Sequence, residues 1–291
     1  MRSRQRKLAV LMGMGMWMLA SFSGCAGKAT RPPPQTVGDT TVESSPVTDL
    51  LQHHRHHHHG GVLMLITISL DTLGLSPEEQ ARIEEIRSDL VAKMGPARSD
   101  ELQLVELLAN GLEESSLDPT KVNGAIAQMA TSSEAVHASA IGDLNQLHAV
   151  LTPPQRGTLV DKLEGHWQLW KRANTGERRP TVAIGQEIGL TPDQIGRVQN
   201  QLDAQTPPPS EHENEIQDYL RDFSHAFRAD TFDAGTLKAA SGANRHLAEW
   251  GATRLARFCE VVNPMLTGEQ RQKLVALLRE HLDHDEGQAK E

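Results

Sequence analysis

The densest chemistry in the sequence is a run of imidazoles. His53, His54, His56, His57, His58 and His59 fall within seven positions, interrupted by Arg55 and followed by Gly60 and Gly61; they are six of the chain's 14 histidines. Neutral imidazole is a good ligand for Zn²⁺, Cu²⁺ or Ni²⁺, and a flexible cluster offers three or four at once without being built in advance. The same looseness supplies no ligand geometry, so the tract does not choose among these metals. Two blander origins stay open: an expression tag, although tags are usually uninterrupted and terminal, and a solvated tract that only gains charge as pH falls through about 6.5. A sparser group lies near the end of the chain, where His281 and His284 stand three apart beside Asp283, Asp285 and Glu286. That spacing fits either a secondary metal site on one helical face or a solvated final turn.

Cys25 carries a different chemistry. It is preceded by a basic start (Arg2, Arg4, Arg6, Lys7), an uncharged run from Leu8 to Ala20 and then small residues. This is the order of a secretory signal, and the apolar run is too short to be a permanent membrane span. The sequence Phe22-Ser23-Gly24-Cys25 resembles the lipobox of bacterial lipoproteins, with Phe22 in place of the usual Leu. That resemblance implies cleavage before Cys25 and acylation of its thiol, the expected lipidation site. Once Cys25 is so assigned, Cys259 is the one remaining thiol. It has no partner for an intramolecular disulfide, and within an apolar helical stretch it reads as buried filler.

No residue pattern for catalysis is present: there is no GxSxG, HExxH, Gly-rich phosphate loop or reactive-Cys motif. An enzyme is not expected and no cofactor is required; Zn, Cu or Ni are candidate ions at the tract. Aromatic residues make up 3% of the chain, which leaves little for a base-stacking platform. Beyond residue 24 there are 25 basic against 38 acidic side chains, so nucleic acid is an unfavourable partner.

The elements that must position any site follow from internal repetition. LTPPQRGTLVDKLEGH (151–166) aligns without a gap on LTGEQRQKLVALLREH (266–281), with eight identities in sixteen positions. The same offset of 115 residues places GLSPEEQAR (74–82) over GLTPDQIGR (189–197) and pairs Asp118 with Asp233. His166 and His281 are equivalent under this offset, where a helix-end histidine beside the dipole is the simpler reading. Each copy holds two Leu-Ser/Thr-x-x-Gln/Glu sites: Leu75, Ser76, Glu79 and Leu151, Thr152, Gln155 in the first, Leu190, Thr191, Gln194 and Leu266, Thr267, Gln270 in the second. A Ser or Thr followed three residues later by Gln or Glu forms a capping box. The hydroxyl accepts from the third N–H, and the longer side chain reaches back to the cap's own N–H.

Four helix starts are therefore expected. Apolar spacings of three and four continue each helix through Ile83, Ile86, Leu90 and Met94, through Leu102, Val105, Leu108 and Leu112, and through Val122, Ile126, Met129 and Val136. Gly95-Pro96 and Pro207-Pro208-Pro209 interrupt them. A helix through Tyr219, Phe223 and Phe227 and a long one from Ala234 to about Met265 are expected in the second copy. Val62–Leu70 fits either a strand or a helix, and Trp167, Trp170 and Trp250 read as core or groove anchors.

The expected fold class is all-α, in two tandem copies of about 110 residues, with the copies paired as an intramolecular pseudo-dimer. The expected domains are a lipoprotein signal at 1–24, a disordered tether with the histidine tract at 25–61, repeats at 62–175 and 176–285, and a tail at 286–291. As a flexible coil the tether spans about 30–35 Å on average.

Paired LTxxQ-like sites in all-helical units behind an export signal resemble the Spy/CpxP family of periplasmic proteins, which includes zinc-resistance-associated and heavy-metal-sensor members. The resemblance covers roughly residues 62 to 285. It implies an ATP-independent chaperone that holds unfolded envelope proteins in an amphipathic helical cradle, with a divalent-metal sensor or buffer as the alternative and a structural envelope lipoprotein as a third reading. It further implies a periplasm-facing protein, either a monomeric pseudo-dimer or a homodimer, and the lipobox-like segment implies anchoring to the membrane through the lipid on Cys25. Ala26 after the Cys favours the outer membrane. The client-binding side chains cannot be read from periodicity. Glu79 departs from the family's Gln, which keeps the capping box and alters whatever else that Gln does.

Overall fold

Helix starts in this chain are set by local chemistry, and the computed structural model follows them closely. It describes residues 60–70, 73–175, 180–205 and 210–288, with the side chains at 169–170, 172–181, 205–211 and 281–288 left out of the description. The signal segment, Cys25, residues 26–59 and all six tract histidines lie outside the described residues, whereas Gly61, expected in the tether, is the first residue of a helix. Among those described there are helices and no strand: α1 (Gly61–Leu70), α2 (Pro77–Lys93), α3 (Gly95–Glu113), α4 (Pro119–Val150), α5 (Pro153–Thr175), α6 (Pro180–Glu187), α7 (Pro192–Gln205), α8 (Ser210–Arg228), α9 (Ala240–Val262) and α10 (Gly268–Gln288). Short 3₁₀ turns at Ala234–Thr236 and Asn263–Met265 flank α9. The chain is all-α, and α10 runs three residues into the segment expected to be a tail.

Element starts recur at the sequence offset. Pro77 and Pro192, Gly95 and Ser210, Pro119 and Ala234, and Pro153 and Gly268 each open corresponding elements 115 residues apart. One expected helix is divided. Asp233 accepts from the Gly235 N–H at 2.9 Å and closes a single 3₁₀ turn. Leu237 then leaves the helical region (φ −79°, ψ 83°), so α9 begins at Ala240 rather than Ala234. In the equivalent position Asp118 accepts from the Thr120 and Lys121 N–H groups and α4 starts directly. Between α2 and α3 the chain bends at buried Met94, because Pro96 cannot supply an N–H to continue the ladder.

The two long helices α4 and α9 run antiparallel through the centre. Their register is marked by the Ala234 N–H donating to Asn145 Oδ1 at 2.9 Å and by the Arg245 to Glu134 ion pair at 2.9 Å. Buried Ala130, Ser133 and Ala140 on α4, with Ala243, Ala248, Gly251, Ala252 and Ala256 on α9, keep the facing surfaces small and let the backbones approach closely.

Two apolar cores flank this pair, and each mixes the two sequence halves. In the first, α1, α2, α5 and the end of α4 pack with α8 and the start of α9. In the second, α3 and the start of α4 pack with α7, α10 and the end of α9. The boundary expected at 175/176 therefore separates neither core. The few aromatic residues are concentrated: Phe223 and Phe227 on α8 both meet Phe232, Tyr219 packs on Phe223, and the His148 ring meets Phe227 and stacks on Phe232 at 5.2 Å. Trp167 is buried in the first core, Trp250 packs half-buried against it, and the Trp170 side chain is outside the description.

Val62–Leu70 is helical. α1 is apolar all round and almost wholly buried, the pattern of a central helix. Each of its large side chains gains about 1.5–3 kcal/mol from burial. Helix is the conformation that satisfies a buried backbone from within, and its polar side chains follow suit: Thr67 donates to the Leu63 carbonyl and Ser69 to the Leu65 carbonyl. Its first N–H groups are met from 182 and 181 residues away, where Asn244 Oδ1 accepts from Val62 N at 2.8 Å and Leu63 N at 3.2 Å. Among the described residues no helix is long and apolar enough to cross a membrane. Cys259 is buried, and burial pushes its thiol pKa up to about 12, which leaves it unreactive.

Candidate metal centre and the paired helix starts

Each Leu-Ser/Thr-x-x-Gln/Glu site begins a helix, and the structure brings the four sites together as two pairs. Ser76 N donates to Glu79 Oε2 at 2.7 Å and Glu79 N to Ser76 Oγ at 3.3 Å, completing a capping box for α2. Thr191 with Gln194 and Thr267 with Gln270 make the same reciprocal bonds for α7 and α10. At α5 the box is modified: Thr152 N donates to Gln155 Oε1, but the Thr152 hydroxyl turns to that same oxygen, both at 2.8 Å. Leu151 and Leu190 are buried, while Leu75 and Leu266 pack against the cores from their edges.

The glutamines have a second task beyond capping. Gln194 Nε2 donates to the Met265 carbonyl at 2.9 Å and to Gln270 Oε1 at 3.2 Å. Gln270 Nε2 returns the exchange to the Gly189 carbonyl at 2.8 Å and Gln194 Oε1 at 3.1 Å. A primary amide can do this because it carries both donor and acceptor atoms. In the first half, Gln155 Nε2 reaches the Gly74 carbonyl and Glu79 Oε2, each at 3.2 Å. The carboxylate of Glu79 has no proton to send back, so that pairing is one-directional. The Ser76 N–H and then the Gln155 amide hold the Glu79 carboxyl below its ordinary pKa. The departure at Glu79 thus has a physical meaning: one of two donor exchanges is lost.

Gln194→Glu should impose the same one-directional pairing on the second half, where the side chain is 8% exposed. The expected cost is about 1–3 kcal/mol at neutral pH, since two acceptors lose their donor. The introduced carboxyl would face the Met265 and Gln270 oxygens, so its folded-state pKa is raised. Relative to the parent chain the penalty is therefore full above that pKa and shrinks as pH falls, when a proton restores one donor. Urea denaturation at pH 7 and pH 4.5 checks this; an equal penalty at both would refute it.

The motif arginines complete the interlock. Arg271, after the α10 motif, donates from Nη1 to the Leu112 carbonyl at 2.7 Å, at the end of α3. Arg156, after the α5 motif and buried, donates from Nη1 to the Ala229 carbonyl just past the end of α8, with His148 beside it. Each half ties off a helix end belonging to the other, where a cation also meets the negative end of the helix dipole.

Three further residues form a group that the sequence reading did not assemble. His212 and Glu215 stand three apart on α8 and so share a face, and His246 on α9 meets them. Their ligand atoms all lie within 4.8 Å of one another. His246 Nε2 is 3.0 Å from Glu215 Oε2 and His212 Nδ1 is 3.4 Å from it, with the two imidazoles stacked at 4.0 Å. Burial first, then the adjacent His212, hold the His246 pKa below its ordinary value, so the ring stays neutral near pH 7. A signal was available in the sequence: His-x-x-Glu occurs at 212–215 and again at 246–249, but local spacing does not say that the two helices face each other. The expected secondary site around His281 and His284 falls outside the described side chains; His166 is half-buried on α5. Among the described residues Val91 is the one exposed large hydrophobic side chain.

Residues 47–158 match a family of proteins described as heavy-metal resistance, a family related to the Spy/CpxP-type helical proteins. The matched segment takes in the histidine tract, α1 to α4 and both motif sites of the first half. No curated protein and no solved structure matches the chain.

Proposed function

We propose that this chain is an envelope protein of heavy-metal resistance that binds divalent transition-metal ions, with the histidine tract as its principal ligand set. The observation that carries the reading is the heavy-metal-resistance match over 47–158, which spans the tract together with the helical unit it leads into. The tract joins the fold at Gly60, immediately before the α1 start anchored by Asn244. The protein acts by binding rather than catalysis. Cys25 holds it by a lipid to the envelope, facing the periplasm, and residues 62–285 are two copies of one helical unit paired within a single chain. Supporting that last point are the recurrence of element starts at one offset and the equivalent Gly74–Gln155 and Gly189–Gln270 hydrogen bonds.

Calorimetric titration of Zn²⁺, Cu²⁺ and Ni²⁺ into the intact chain and into a variant lacking residues 53–59 tests the metal reading. The intact chain should bind more equivalents than the deletion variant. Identical stoichiometry would remove the tract from the function.

A further inference from the structure

We infer that His212, Glu215 and His246 form a binding site for one divalent transition-metal ion, separate from the tract and built into the junction of α8 and α9. Two imidazoles and one carboxylate suit Zn²⁺, Co²⁺, Ni²⁺ or Cu²⁺; Ca²⁺ and Mg²⁺ favour all-oxygen sets. The spacing is close to what coordination needs. Bonds of about 2.0–2.1 Å place tetrahedral ligand atoms about 3.3 Å apart, and the two contacts to Glu215 are 3.0 and 3.4 Å. His212 is exposed and stacked on His246, while His246 is half-buried on α9. Glu249, one turn beyond His246, adds negative charge at the same junction. Three protein ligands leave a fourth position for water.

The site closes a loop between helices otherwise joined through 229–239, so an ion there fixes α8 against α9. It lies on the same helix as Asn244, two residues away from the group that anchors the start of α1. The inference goes beyond the proposed function and does not depend on the tract.

The test uses the full chain with the six tract histidines replaced by Asn, so that the two readings fail separately. This variant should bind one equivalent of Zn²⁺, and Co²⁺ should give the visible absorption of a low-coordinate site. Adding His212→Ala and His246→Ala should weaken binding on the order of 100-fold or more, above the 10–100-fold effect of losing outer-shell partners. Glu215→Gln should weaken it less and change the Co²⁺ spectrum. Circular dichroism of the metal-free variants checks that they remain folded. Absence of any bound equivalent in the tract variant, or full binding retained by the double substitution, overturns the inference whatever the intact chain does. One equivalent in both the intact chain and the tract variant supports it and refutes the tract instead.

Discussion

Asn244→Ala should destabilise the fold by about 2–4 kcal/mol, the cost of leaving two buried backbone N–H groups without an acceptor. Asn244 is fully buried, and its Oδ1 is the acceptor for both Val62 N and Leu63 N. Among the described residues α1 begins inside the first core. The surroundings enforce the contact: Gly61 adopts φ +55°, and a Cβ there would meet the Asn244 Cα and carbonyl oxygen at 2.7 Å. Gly61→Ala should therefore lose stability through strain as well as through collision. Urea denaturation gives the magnitude, and amide exchange at residues 62–66 locates it. Protection should fall first at the start of α1. A loss below about 0.5 kcal/mol, with exchange unchanged, would show that the long-range cap is dispensable.

The second large effect is expected at the motif arginines. Arg156→Ala and Arg271→Ala should each cost about 2–3 kcal/mol, the range for charge-assisted hydrogen bonds left unmade at partly buried sites. Arg271 binds not only the Leu112 carbonyl but also the Asn263 carbonyl at 2.9 Å and the Asn263 side chain. A guanidinium reaches these acceptors at once through its planar fork, so Arg271→Lys should recover less than half of the loss. The two arginines tie off different helix ends in different cores, and their costs should add within about 0.5 kcal/mol. Thermal and urea unfolding of the single and double variants would settle the point. Full rescue by lysine would mean that charge alone, rather than the shared donor geometry, closes the two halves on each other.

These predictions concern contacts between distant parts of the chain, and they mark where sequence reasoning stopped. The positions of α2, α5, α7 and α10 were legible, because a capping box, joined at the first three by an N-terminal proline, acts within four residues. The offset of 115 residues was legible as well, since identity is a property of the string. The divided start of α9 was not: Asp118 and Asp233 are the same residue type at equivalent positions, yet one starts a long helix and the other closes a single 3₁₀ turn. The role of Glu79 was half legible. Its capping bond is local, whereas the missing return bond depends on Gln155 lying 76 residues away.

The sequence by itself determined that the chain is helical, where most helices begin, that a histidine-rich tract precedes them and that Cys259 would be buried. Those conclusions rest on short-range hydrogen bonding, on periodicity and on composition. Only the tertiary structure decided that each core draws helices from both halves, that Asn244 caps α1, and that His212 and Glu215 meet His246. Such groupings follow from how α8 and α9 pack, and packing is a collective outcome of many apolar contacts that no local pattern of residues encodes.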